Sequence, residues 1–133
     1  MRMSLVISLA AIVAPALATS ALAGDAAKGE QRFKAYFVCH AVGPNAKNKV
    51  GPELNGIVGR KWAMIDGFSY SKDLTDGKAA GKVWDEAMID QYIENPKAVA
   101  PKGKMAYAGL KDAAKRADLI AYLKQFDSAG NKK

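Results

Sequence analysis

Tyr36-Phe37-Val38-Cys39-His40 is the stretch on which the sequence turns: it sets the only cysteine beside the only histidine, and the residue pattern changes across it. Upstream, from Asp25 to about Phe37, there is no proline and, apart from Gly29, no helix breaker, so a short helix is expected with Phe33 facing inward. Downstream, Gly43-Pro44-Asn45, Gly51-Pro52, Asn55-Gly56 and Gly59 punctuate the chain as far as Gly67, and no helical or strand period survives. A loop this long in a small domain is uncommon unless it wraps something functional, which argues for a bound group. Two further helices follow. One opens at Asp85-Glu86, carries Met88, Ile89, Tyr92 and Ile93 on one face and stops at Pro96. The other is capped by Asp112 and runs to about Phe126, its apolar stripe made by Leu119, Ile120, Tyr122, Leu123 and Phe126. The segment from Pro101 to Leu110 is extended, and no strand-like alternation lasts more than a few residues, so the fold class is all-α with long loops. The tail from Ser128 to Lys133 is expected to be frayed and solvated.

At 133 residues the chain has the size of one domain. Residues 1–23 stand apart from it. Met1-Arg2 precede a charge-free apolar run from Leu5 to Leu22 that ends in Ala21-Leu22-Ala23, an A-x-A cleavage site. Pro15, Thr19 and Ser20 break the run and Gly24-Asp25 begins a different composition. The expectation is therefore a cleaved signal peptide over 1–23, with no stable membrane insertion afterwards, and one domain over 24–133 in the periplasm. Cleavage removes a single charge, Arg2, so the net charge of +7 becomes +6. A basic exported domain suits anionic lipid or acidic protein faces, and nucleic acid is the least fitting partner at that address.

An exported compartment permits disulfides, yet Cys39 alone cannot staple the domain to itself, and a free thiol there would oxidise or pair between molecules. A cofactor that consumes the thiol is the economical reading. Cys39-His40 matches the second half of C-x-x-C-H, in which thiols add to haem vinyl groups and the adjacent imidazole coordinates iron. A buried cysteine beside a surface histidine is the bland alternative. Zinc is poorly served, because one Cys and one His leave a tetrahedral site two ligands short, whereas a porphyrin iron needs only two axial ligands. Met105, in the Gly- and Pro-flanked segment Lys104-Met105-Ala106-Tyr107, is a candidate for the second; Met64 and Met88 compete, with Met88 better suited to the apolar stripe.

GDAAKGEQRF ahead of Cys39, CHAVGPNAKNKVGPELNGIVGRK from it onward, GFSYS at 67–71, the isolated Trp84, QYIENPK at 91–97, KMAYAGLK at 104–111 and RADLIAYLKQF at 116–126 stand in a very specific order and spacing. From Gly24 to Phe126 the chain resembles a class I cytochrome c of the soluble bacterial kind, similar to mitochondrial cytochrome c. The resemblance implies an all-α class I cytochrome c fold whose N- and C-terminal helices cross, Gly29 and Phe33 meeting Leu119 and Tyr122, with long loops wrapping one haem. It also implies a thioether from Cys39, His40 as proximal and Met105 as distal iron ligand, and the Pro52 carbonyl accepting the other imidazole N–H. Arg60, Tyr70 and Trp84 would meet the haem propionates, and Tyr92 would lie beside the methionine ligand.

The largest departure from that pattern is Tyr36 at the first cysteine position, which implies haem c held through Cys39 alone with one vinyl intact. Leu74 stands near where an Asn of the family often joins the inner hydrogen-bond network, and Gly103 replaces a Thr that in the family usually reaches a propionate. Trp62-Ala63-Met64-Ile65 is more apolar than the corresponding family loop, and reads equally as local packing or as a partner patch.

With both axial positions filled, iron offers no open position to substrate, so the expected function is one-electron transport between redox proteins of a respiratory or photosynthetic chain, by a monomer that is not an enzyme. Lys34, Lys47, Lys49, Lys97, Lys102 and Lys104 flank the two ligand segments. They form either a positive ring for acidic docking faces of redox complexes or a solvated basic face. A peroxidase-like haem enzyme and a haem-free relic acting as a binding protein are the competing readings.

Overall fold

The structure is a computed structural model that describes residues 11, 12, 14 and 23–133. Most of the expected signal peptide therefore lies outside the described residues. Among the described residues no helix is long and apolar enough to cross a membrane.

Among the described residues five helices carry the fold: α1 Ala26–Tyr36, α2 Lys72–Ala79, α3 Glu86–Glu94, α4 Pro96–Val99 and α5 Ala113–Leu123. The three longest begin at an aspartate whose carboxylate accepts backbone N–H groups left free by the first turn. Asp25 accepts from Ala27 at 2.9 Å and Lys28 at 3.1 Å, Asp85 from Met88 at 2.7 Å, and Asp112 from Lys115 at 3.1 Å. Each such cap stabilises its helix by about 1 kcal/mol. The remaining backbone is loop, and the described residues make only two isolated β-bridges, Lys61 with Val83 and Phe126 with Lys132.

α1 crosses α5, and this is the principal helix contact. Gly29 is buried there because its missing side chain lets the two backbones meet: a Cβ would run into the carbonyl of Asp118 and come within 2.8 Å of the Tyr122 Cβ. Phe33 lies one turn on, its ring 5.5 Å from that of Tyr122. Leu119, Ile120, Leu123 and Phe126 from the C-terminal segment join Ile89 and Ile93 of α3, Ile57 and the Trp62–Trp84 pair in one core. Burial of each large side chain stabilises the fold by about 1.5–3 kcal/mol, so most of the stability is tertiary.

The structure adds two features to the sequence reading and corrects one expectation. α2 was not expected from KDLTDGKA, which has one large apolar residue and a glycine; tertiary contacts supply what propensity lacks, the Asp73 carboxylate accepting the Lys102 N–H at 2.6 Å and Gly77 packing on Trp62. α3 ends ahead of Pro96, as expected. Asn95 caps it, and Pro96 then opens the short α4, where its fixed φ and absent N–H cost nothing at the first helical position. Finally, the tail is folded back instead of frayed. Asp127 accepts from the N–H groups of Ala129 and Asn131, Lys133 N–H donates to the Gln125 carbonyl at 2.8 Å, and Gly130 is buried against the Gly43 carbonyl at φ +84°.

Candidate functional site

The loops and the inner faces of α1, α3 and α5 enclose a largely apolar cavity of about 260 Å³. Cys39, His40, Pro52, Arg60, Tyr70, Trp84, Tyr92 and Met105 all line it, so eight positions spread over 67 residues of sequence are brought to one place.

On one side stands His40. Its Nδ1 lies 2.7 Å from the Pro52 carbonyl oxygen; a carbonyl only accepts, so Nδ1 carries the proton and Nε2 keeps its lone pair. Burial holds the imidazole below its ordinary value, with the Pro52 carbonyl working the other way and Arg60 adding to the lowering. A neutral imidazole with a free nitrogen is the form that binds a metal. The ring is held against Gly51, where any Cβ would overlap it. Backbone bonds from Gly51 to Cys39 at 2.8 Å and from Leu54 to Ala41 at 2.9 Å clamp residues 39–41 to 51–54. The buried Asn55 closes the loop by bonding both the N–H and the carbonyl of Gly43, at 2.8 and 2.9 Å.

Met105 enters from a separate segment that is tied down at both ends. At the start, the Lys97 ammonium donates to the Gly103 carbonyl at 2.6 Å, and Lys104 reaches Ser69. At the far end, Leu110 N–H donates to the Ile93 carbonyl at 2.8 Å, and Gly109 passes so close to the Glu94 carbonyl, at φ +108°, that only glycine fits. The buried Arg116 donates to the carbonyls of Leu110 and Lys111, both at 2.9 Å, and to Asp90 at 2.7 Å. The competing methionines are placed elsewhere: Met64 is exposed and Met88 packs against the core.

The polar wall contains Arg60, Tyr70 and Ser71. Arg60 uses its Nη atoms on the Glu53 and Asn55 carbonyls at 3.0–3.1 Å, and burial pulls its guanidinium down while Tyr70 and Glu53 oppose the shift. The Tyr70 hydroxyl accepts from Ile65 N–H at 3.2 Å and is pushed up by burial. Two groups in this wall are stranded: Arg60 Nε and Ser71 Oγ are buried without a partner. A buried polar atom left unpaired costs about 1–3 kcal/mol, so this wall is built for an incoming acceptor, and carboxylates fit it. Ser71 was not singled out from the sequence, because a serine hydroxyl declares itself only once its burial is known. The rest of the lining is apolar, including Leu74 and the Phe37–Tyr107 pair at 5.3 Å.

At the mouth, Cys39 is an exposed free thiol and Tyr36 is 67% exposed, both bordering the cavity. The donor set thus fits a haem: a neutral imidazole, a thioether sulfur, a thiol at the edge, an apolar interior and stranded donors where carboxylates would go. The open question over 62–65 resolves largely into packing, since Trp62 and Ala63 are buried and only Met64 is exposed. Among the lysines, Lys97 and Lys104 act as backbone pins, Lys34 pairs with Glu30 at 2.9 Å, and Lys47 and Lys49 stand free in solvent.

No protein-family model matches the chain. Individual relatives do. The chain is 53% identical to cytochrome c2 of Blastochloris viridis over 125 residues, covering 94% of this chain and 92% of that protein. It is 51% identical to cytochrome c-550 of Ancylobacter novellus over 106 residues, covering 80% and 99% respectively. Among solved structures, cytochrome c2 from Rhodospirillum centenum superposes with a TM-score of 0.73 at 38% identity, covering 78% of this chain and 99% of that one. The crossed α1–α5 pair, the helical class and these relatives agree: the chain belongs to the class I cytochrome c family, whose members transfer electrons with covalently attached haem c.

Proposed function

We propose that the protein is a monomeric, periplasmic one-electron carrier whose haem iron sits between His40 and Met105 and whose porphyrin is anchored by a single thioether through Cys39. The observation that carries this reading is the convergence of His40 and Met105 on one cavity from segments held independently of each other. The bound group supplies a one-electron couple, which thioether ligation and burial shift toward the ferrous form.

The chain's own residues do the rest. Pro52 fixes the imidazole tautomer and leaves Nε2 for the metal. Arg60, Ser71, Tyr70 and Trp84 receive the carboxylates, so those charges are compensated inside the protein. Tyr92, which burial alone pushes up, closes the wall on Trp84 with ring centroids 5.0 Å apart. Residues 1–23 serve as the export signal. Tyr36 and Val50 border the cavity and are exposed, and the exposed Lys47 and Lys49 precede Val50 in the chain, so this surface would dock on acidic faces of redox partners, with an encounter rate that would fall with salt.

The test is an optical spectrum and a pyridine haemochrome of the exported protein, with the mass of the denatured polypeptide. The reading requires a low-spin six-coordinate spectrum, one haem per chain surviving denaturation, and one unreacted vinyl. A five-coordinate high-spin spectrum would favour the peroxidase-like alternative, and a colourless protein of apo mass would end the carrier reading.

A further inference from the structure

Trp62 is the largest side chain to be fully buried, at 1% exposure, yet it does not line the cavity. What it touches does. Its ring stacks on Trp84 with centroids 4.5 Å apart and planes 17° from parallel. Trp84 also packs against Tyr92, with ring centroids 5.0 Å apart, so the cavity-lining indole has two aromatic neighbours. The backbone repeats the arrangement: Gly59 N–H donates to the Trp84 carbonyl at 2.7 Å, Trp84 N–H to the Arg60 carbonyl at 2.8 Å, and Trp62 N–H to the Lys82 carbonyl at 3.0 Å. That ladder joins Arg60 and Trp84, two groups of the polar end of the cavity, with Trp62 as its next rung. Gly77 of α2 leaves the space the ring needs, since a Cβ there would overlap it, and the Lys82 ammonium sits 4.8 Å from the ring centroid. The indole N–H is buried and makes no hydrogen bond to the described residues, so the ring's contacts with its neighbours are made through its faces and edges.

We propose that Trp62 is a positioning residue of the redox site: it holds the Trp84 indole in one orientation in the cavity wall and thereby sets the reduction potential without contacting the cofactor. The proposal rests on the haem reading above. Trp84 shares its end of the cavity with the stranded Arg60 Nε and Ser71 Oγ, where negative charge is to be received. If Trp84 turns away, that charge is less compensated, the oxidised form gains and the potential falls.

The experiment is a reduction potential, by equilibrium titration of the holoprotein, for wild type, Trp62→Leu, Trp62→Phe and Trp84→Phe. Leucine keeps the site apolar while removing the stacking plane, and phenylalanine restores an aromatic plane. Trp62→Leu and Trp84→Phe should each lower the one-electron equilibrium constant about threefold, roughly 30 mV at 59 mV per decade, while Trp62→Phe stays at the wild-type value. A Trp62→Leu protein that melts earlier but keeps the wild-type potential overturns the proposal and leaves the haem reading intact, as does a Trp84→Phe protein of unchanged potential. A wild type with no His/Met haem spectrum overturns the haem reading itself, and the proposal with it.

Discussion

Gly29→Ala should destabilise the protein, although the same change inside an ordinary helix is stabilising. Alanine is worth about 1 kcal/mol over glycine in a helix interior. At position 29 the new methyl would meet the Asp118 carbonyl and the Tyr122 Cβ, neither of which can swing aside as a flexible side-chain end would. The helices must part. A gap of about 0.5–1 Å forfeits roughly a quarter to a half of each packing contact across it. Phe33, Leu119, Tyr122 and Leu123 lie buried at or beside this crossing. With about 2 kcal/mol resting on each, a quarter lost from all four is about 2 kcal/mol, and overpacking strain adds about 1 kcal/mol more. After the helix-propensity gain the net loss is about 2 kcal/mol, or roughly 10 °C in Tm for a domain of this size. Thermal unfolding of the holoprotein, followed by far-ultraviolet circular dichroism, measures this, with Ala35→Gly on the exposed face of α1 as a propensity control. A Gly29→Ala protein that melts with or above wild type would show that the crossing has slack and that Gly29 is not needed for close approach.

Other changes test other parts of the structure. Tyr36→Cys completes the C-x-x-C-H pattern at an exposed position bordering the cavity, so it should consume the remaining vinyl and move the haemochrome band to shorter wavelength; an unchanged band would mean residue 36 does not reach the porphyrin edge. Arg116→Ala strips the Leu110 and Lys111 carbonyls of their donor and should cost about 2–3 kcal/mol in urea unfolding, with a weakened sulfur-to-iron charge-transfer band as the Met105 segment loosens. Tyr92→Phe should leave stability near neutral pH within about 1 kcal/mol but flatten its alkaline decline. Burial raises the folded Tyr92 above the ordinary tyrosine value of 10.0, so its stabilising contribution is complete below about pH 10 and is lost as pH rises from there through the folded value. Denaturant unfolding between pH 9 and 11 would refute this if both proteins showed the same slope.

Local chemistry explains what could be read without coordinates. The starts of α1, α3 and α5 were legible because an aspartate cap and the stripe behind it lie within a few residues of each other. α2 was not, since its stabilising partners, Lys102 and Trp62, are remote in sequence and its own composition argues for a turn. The tail misled for a related reason. Gly130 and the polar residues around it look like fraying, and only the long-range meeting of Gly130 with Gly43 shows that the glycine is there for close approach at positive φ. At the site, the eight expected positions line one cavity; Cys39, His40 and Met105 are suggested by motif and loop context, whereas the other five follow only from the resemblance. Ser71 is not singled out by sequence, and Trp62 reads there only as part of the apolar 62–65 stretch, because one acts through a buried hydroxyl and the other through a neighbour's ring.

The loss of one cysteine at position 36 then has a bounded consequence. The His40 side is held by bonds within the chain: Gly51 to Cys39, Leu54 to Ala41, Asn55 to Gly43 and the imidazole to Pro52. The Met105 side is held by Lys97, Lys104, Ile93 and Arg116. None of these bonds involves residue 36, so the two ligand segments keep their places whether the porphyrin is tethered once or twice. On the proposed reading, what the missing thioether would change is the electronic character of one vinyl and the ease with which an unfolded chain lets the cofactor go. Ligation geometry would then be a property of loops braced against each other, and a covalent link at Cys39 would act chiefly on retention.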